Sequence, residues 1–166
     1  VNLHVLTAVT RPSNLERVYD SIYSQDHSFW TVFWHLLHLD APSVGGQKVK
    51  NLLLDATRPE DGWVYVLDDD TMMHPQFLDR TADVIDANPD CEVIFVGRSD
   101  HGNLFMPEVK VGAIDICQAL IRRDLINDLR IPDLYDGDGW FLQALIDKAV
   151  EAVYLPESLS FYNLLR

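Results

Sequence analysis

Basic residues are scarce in this chain. Its 166 residues carry 13 lysines plus arginines against 26 aspartates plus glutamates, a formal net charge of -13. A surface of that sign repels a phosphate backbone, so nucleic acid is excluded as the main partner. Cysteine is scarcer still. Cys91 and Cys117 lie on separate apolar segments, with neither the C-x-x-C spacing of a zinc site nor the density of a disulfide framework, so both are read as buried free thiols. No run approaches about 18 uninterrupted apolar residues, and no membrane-spanning helix is expected. The chain opens on Val1 without a basic stretch leading into an apolar one, so no secretory leader is read in it. A cytoplasmic, reducing compartment is the expectation, with segments flanking this chain left open. G-x-S-x-G, G-x-x-x-x-G-K-[ST] and G-x-G-x-x-G are all missing, which removes the usual support for serine-nucleophile hydrolysis and P-loop phosphoryl transfer. "VGGQKVK" is too short a glycine run to count as a phosphate loop.

What is present is ample apolar material. Hydrophobic residues make up 48% of the chain, enough to bury one core and too little length for two ordinary domains, so residues 1–166 are read as a single domain. Leu3 to Thr7 reads as a strand. After Pro12, Ser13 and Glu16 form a capping-box pair ahead of Leu15, Val18, Tyr19, Ile22 and Tyr23 at helical spacing. Thr31 to Leu39 is a second strand that stops at "DAPSVGG", and Val49, Leu52, Leu53 and Ala56 give the next helical stripe. Trp63 to Leu67 is the third strand. This βαβαβ order predicts parallel strands, and in such sheets ligands bind beyond the strands' carboxyl ends. Pro75 opens a helix carrying Phe77, Leu78, Ala82 and Ile85, and Glu92 to Val96 is another strand. Further on, "GRSDHGN" reads as a mobile loop, Val111 to Cys117 as a strand, "RRDLINDL" as a short helix and "VYLPESLSFYN" as extended.

Three consecutive carboxylates, Asp68, Asp69 and Asp70, follow the third strand directly. Like charges that close repel one another, so the crowding points to a ligand. Hard cations such as Mn2+ or Mg2+ take oxygen ligands and keep positions open for phosphate oxygens, so an anionic ligand here implies a divalent cation between it and the acids. The alternative is an acidic turn capping the Pro75 helix, which needs one acid rather than three. "YDGDGW" holds a second pair, Asp136 and Asp138, at a helix start. Asp138 is placed to be the N-cap ahead of Trp140; as a general base it would need desolvation by substrate, to which Trp140 could contribute, because a helix N-terminus lowers a carboxylate's pKa. Asp40, ending the second strand, suits either a nucleobase contact or an Asx-turn. Arg11 suits a phosphate. Lys48 and Lys50 read as solvated surface lysines, and His74 and His101 as non-ligands.

In this order the segments resemble a GT-A-fold glycosyltransferase, similar to the family-2 inverting nucleotide-sugar enzymes. "HVLTAVTRPSNLERVYDSI" resembles the opening strand, nucleotide loop and first helix. "HLLHLDAPS" resembles the second strand with its base-recognising acid. "GGQKVKNLLLDATRPEDGWVYVLDDDTMMHPQFLD" resembles the Asn-bearing helix followed by the Asp-x-Asp (DxD) strand, and "VGAIDICQALIRRDLI" with "YDGDGWFLQALI" resembles the acceptor segment and the acidic helix start. The resemblance implies a three-layer α/β/α sandwich around a mostly parallel sheet, and a metal-dependent hexosyltransferase that moves a sugar from a nucleotide-diphosphate donor, with UDP favoured, to a hydroxyl of a saccharide, lipid or protein. It implies Thr7, Ala8, Arg11, Asp40, Asn51, Asp68 and Asp69 at the nucleotide sugar, with Asp68 on the ribose and Asp69 reaching the donor sugar. Asp70, with Asp68, would hold Mn2+ or Mg2+, and Asp138 or Asp136 would be the base. The family usually shows Glu-Asp where this chain has Gly137-Asp138. It also often supplies a late metal-binding histidine, for which Asp100, His101 or water would substitute here. Two rival readings are a sugar- or nucleotide-binding domain of this fold without catalysis, and a haloacid-dehalogenase-type phosphatase with Asp68 as nucleophile. In the latter the motif normally follows the first strand of the domain.

Overall fold

Alternation along the strands decides the layering. The computed structural model describes residues 1–40, 43–149 and 151–166, so part of the "DAPSVGG" turn lies outside the described residues. In chain order the elements are β1 (Asn2–Ala8), α1 (Leu15–Tyr23), β2 (Thr31–Leu37), α2 (Gln47–Asp55), β3 (Trp63–Val66), β4 (Met72–Met73), α3 (Phe77–Ala87), β5 (Val93–Asp100), β6 (Asn103–Phe105), β7 (Ala119–Arg122), α4 (Arg123–Ile126), α5 (Gly137–Ile146) and β8 (Ala152–Tyr162). Leu6, Ala8, Val64, Val66, Val93 and Phe95 pack on one face of the sheet with Leu53 and Leu54 of α2 and Phe141, Leu142 and Leu145 of α5. Leu3, Val5, Trp63, Tyr65, Ile94 and Val96 pack on the other, against Val18 and Ile22 of α1 and Phe77 and Leu78 of α3. Strands apolar on both faces need helices on both, and the result is an α/β/α sandwich.

Among the described residues the sheet runs β2-β1-β3-β7-β5-β8-β4, with β6 beside β5. β1 pairs in parallel with β2 and β3, and β5 with β8, while β7 lies antiparallel between β3 and β5. The loops after β1, β2 and β3 therefore open at one edge. Pro156, which cannot donate to a ladder, falls where the β5–β8 register shifts by a bulge. No described helix is long and apolar enough to cross a membrane, and Cys91 and Cys117 are buried and unpaired.

Several local expectations change. "GRSDHGN" is not a loop: β5 runs through Asp100 and turns at His101 and Gly102, both at positive φ, into β6. Its β6 arm is only three residues long and exposed at each, and its two apolar residues, Leu104 and Phe105, are adjacent, so no strand alternation marked it. Val111 to Cys117 is not a strand. Asp115 accepts the Cys117 N–H at 3.1 Å and caps a 3-10 turn over Ile116–Gln118, which delays the strand to Ala119. The Ser13 capping box does not form either. Pro12–Asn14 make a 3-10 turn, and the N–H groups of Thr10 and Arg11 ahead of it are taken by Asp69 from across the sheet edge. On α2 the stripe is rotated, with Leu52 47% exposed and Leu54 buried.

Candidate active site

Asp68 to Asp70 leave β3 in a turn, and each carboxylate meets at least one cation, with Arg11 shared by Asp69 and Asp70. Asp68 pairs with the Lys50 ammonium at 3.0 Å. Asp69, buried, accepts from Thr10 and Arg11 backbone N–H groups and lies 3.1 Å from the Arg11 guanidinium. Asp70, also buried, lies 2.7 Å from Arg166 Nε and 3.2 Å from Arg11 Nη1. The acid triplet is thus matched by three basic side chains, which relieves the crowding that the sequence posed.

Lys50 is the largest departure from expectation. It is 1% exposed, not a surface lysine, and its ammonium also lies 3.9 Å from Asp138. The signal was available in α2, where Gln47, Lys50 and Leu54 fall on one buried stripe at helical spacing. Burial alone would lower the Lys50 pKa. Asp68, Asp138 and Asp115 outweigh it and hold the ammonium above its ordinary range.

Asp138 reaches this point because α5 starts two residues earlier than its N-cap reading required. Asp136 occupies the cap position and Asp138 lies inside the first turn. The glycines around it permit the fit: a Cβ on Gly137 would stand 2.1 Å from the Pro132 carbonyl oxygen, and one on Gly139 would stand 2.8 Å from Val111 Cα. Packed this closely, the Asp138 side chain is only 14% exposed, and its Oδ1 has no hydrogen-bond partner. Burial pushes its pKa up, with Lys50 pulling the other way and Asp115 adding to the rise. Desolvation of Asp138 thus comes from the fold itself, without bound substrate. Trp140, 54% exposed, is not what supplies it. Asp68 is shifted in the same direction, again by burial first and against Lys50.

Two cavities meet here. One of about 310 Å3 is lined by Ala8, Thr10, Arg11, Ser43 and the acid triplet. The other, about 290 Å3, is lined by Lys50, Arg98, Asp115, Asp136, Asp138 and Tyr162. Gly45, Asp68 and Arg166 line both. In the second cavity Arg98 lies 3.4 Å from Asp115 and over the Tyr162 ring, 4.2 Å from its centroid. Of the residues singled out in the sequence, Ala8, Arg11, Asp68, Asp69, Asp70, Asp136 and Asp138 converge on this cleft. Thr7, Asn51 and Asp40 line neither cavity. The Thr7 hydroxyl donates to Leu67 O and accepts from Trp34 Nε1. Asn51 bonds both backbone groups of Ile131 at 2.8 Å, and the Asp40 carboxylate is exposed beside His38. Asp100 and His101 sit at the β5–β6 turn and also line neither cavity. Lys50, Gln47, Arg98, Asp115 and Arg166 were not read as site residues.

The donor set suits a hard divalent cation in one respect and not in another. Asp68 and Asp70 offer carboxylate oxygens at the cleft floor, and Mg2+-like ions are held by one or two carboxylates with water and phosphate completing the shell. No cluster of three or more metal-binding side chains exists among the described residues. An ion bound here would take most of its shell from water and ligand.

No protein-family model matches this chain, and no curated protein does. Solved structures do. Staphylococcus aureus TarS 1-349, in complex with UDP-GlcNAc, is similar at a TM-score of 0.78 and 15% identity, over 97% of this chain and 58% of that one. The mannosyltransferase PcManGT from Pyrobaculum calidifontis, in complex with GDP-Man and Mn2+, is similar at 0.66 and 14%, over 97% and 56%. A glycosyltransferase involved in glycosylation of the major capsid of PBCV-1 is similar at 0.56 and 9%, over 97% and 93%. The likeness is one of fold: this chain has the GT-A-like α/β fold of glycosyltransferases. It spans under two thirds of the length of the first two.

Proposed function

We propose that this chain is the nucleotide-sugar-binding and catalytic domain of a glycosyltransferase that moves a sugar from a nucleoside-diphosphate donor, with a UDP-sugar favoured, to an acceptor hydroxyl. The observation that carries the reading is the Lys50 bridge. It joins an acid at the end of a parallel strand, Asp68, to a desolvated carboxylate with an unpartnered oxygen, Asp138, across the junction of two cavities. The TarS likeness, with UDP-GlcNAc bound there, supports the choice of UDP.

In this reading the cavity beside Arg11 takes the diphosphate, and Asp69 holds the Thr10–Arg11 loop so that the guanidinium faces it. Lys50 fixes Asp68 against the ribose side of the donor. Asp138, whose raised pKa makes it a better proton acceptor than an exposed carboxylate, takes the proton of the acceptor hydroxyl as that oxygen attacks the anomeric carbon. Attack from the face opposite the leaving diphosphate inverts the configuration. Asp136, exposed at the rim of the same cavity, is the less desolvated of the two acids. Mn2+ or Mg2+ held by Asp70 and Asp68 would neutralise charge on the leaving group. Among the rivals, the phosphatase reading fits less well, because Asp68 follows the third strand and not the first.

Calorimetric titration with UDP and GDP, each with and without Mn2+, tests the donor site. Release of nucleoside diphosphate from the matching sugar donor then separates an enzyme from a binding domain. Absence of binding by both nucleotides under all four conditions would refute the proposal.

A further inference from the structure

Arg166 is anchored at its backbone, its N–H donating to Asn163 O at 3.2 Å, while much of its side chain stays exposed. The Leu165 N–H donates to the Asp70 carbonyl at 3.0 Å, and the Asn14 amide donates to both Leu165 O and Asp69 O. These bonds fix the chain before Arg166 against the acid triplet. Its side chain is nevertheless 56% exposed, whereas the Asp70 side chain that it meets is 4% exposed. Asp70 Oδ2 carries two cationic contacts, Arg166 Nε at 2.7 Å and Arg11 Nη1 at 3.2 Å. Arg11 is also held by Asp69 and Thr10. The carboxylate contact of Arg166 among the described residues is Asp70.

We infer that Arg166 occupies the cation's place on Asp70 while the cleft is empty, and gives that place up when a nucleoside diphosphate offers its guanidinium a new partner. This rests on the donor-site reading above. Arg166 lines both cavities, so a swing of the exposed side chain keeps it at their junction, next to where a diphosphate would lie. A divalent ion arriving alone must displace a hydrogen-bonded guanidinium from a nearly buried oxygen and leave that charge beside its own. An ion arriving with a diphosphate need not, because the guanidinium pairs bidentately with phosphate oxygens. Metal and nucleotide therefore bind with positive coupling, which is reciprocal by linkage.

The test counts free Mn2+ by its paramagnetic resonance signal in titrations of the wild-type chain, Arg166→Gln and Arg166→Lys, at one salt concentration, with and without UDP or GDP. Without nucleotide, Arg166→Gln is expected to bind Mn2+ about tenfold tighter than wild type, and the factor by which nucleotide strengthens Mn2+ binding is expected to fall by about the same amount. Arg166→Lys, which keeps a charge, should fall between the two. Equal or weaker Mn2+ binding by Arg166→Gln alone would overturn the inference, as would no Mn2+ binding by any of the three proteins. Failure of both nucleotides to bind the wild type would instead refute the donor-site reading, and the nucleotide-free titrations would still decide whether Arg166 competes with the ion.

Discussion

Replacing Lys50 by methionine removes a cation shared by Asp68 and Asp138. The substitution nearly preserves volume, so packing is little disturbed and the effect is electrostatic. Lys50 is 1% exposed, and its partners stand at 3.0 and 3.9 Å. Breaking a buried pair by removing one member strands the other charge, typically at about 3 to 5 kcal/mol. With two carboxylates left behind, the upper part of that range, about 4 to 5 kcal/mol, is expected, a fall in Tm of about 8 to 20 °C for a chain of this size. The sign with pH follows from the direction of the shifts. Burial raises the folded-state pKa of both Asp68 and Asp138, and Lys50 opposes it. Without Lys50 both rise further. An acid with a raised folded pKa favours the folded state below its unfolded pKa and loses that contribution as pH rises through the folded value. The deficit of Lys50→Met should therefore be largest near pH 8 and shrink toward pH 5, as both carboxylates approach protonation from an unfolded reference of about 3.9. Urea unfolding at several pH values measures it, with Lys50→Met/Asp68→Asn expected to recover part of the loss. A deficit below about 1 kcal/mol, or one that does not change with pH, would refute the Lys50 bridge.

Asp138→Asn should leave nucleotide affinity within about twofold and abolish sugar transfer, losing at least the 10²-fold typical of a general base; survival of transfer in Asp138→Asn with loss in Asp136→Asn would move the base to Asp136. Because burial raises the Asp138 pKa, the wild-type rate should climb with pH through a midpoint above the ordinary carboxylate value of about 3.9, measurable as a pH–rate profile. Gly137→Ala puts a methyl 2.1 Å from the Pro132 carbonyl, so it should destabilise by about 1 to 3 kcal/mol in denaturant titration and lower transfer by displacing the adjacent Asp138. Asp70→Ala frees two arginines that are already solvated, so the fold should persist while Mn2+-dependent nucleotide binding disappears in calorimetry.

Much of the fold was legible because its signals are local. Strands buried on both faces read as unbroken apolar runs, and α1 and α3 carry apolar residues at helical spacing. The β5–β6 hairpin was illegible for the opposite reason: it projects into solvent and carries no apolar alternation. The false strand over Val111 to Cys117 is an apolar stretch interrupted by one side-chain bond from Asp115, and composition alone cannot reveal a cap of that kind.

The sequence by itself determined the order of the elements from β1 to β3, the placement of three acids beyond a parallel strand and of two more at a helix start, because periodicity, turn residues and charge crowding are properties of neighbours along the chain. The pairing of those acids was decided only by the tertiary structure. Asp70 meets Arg166 across 96 positions and Asp68 meets Lys50 across 18, contacts that depend on which strands are adjacent. The raised pKa of Asp138 was decided there too, because desolvation is a property of what surrounds a side chain in space, and here the close packing at Gly137 and Gly139 accompanies the burial of that side chain.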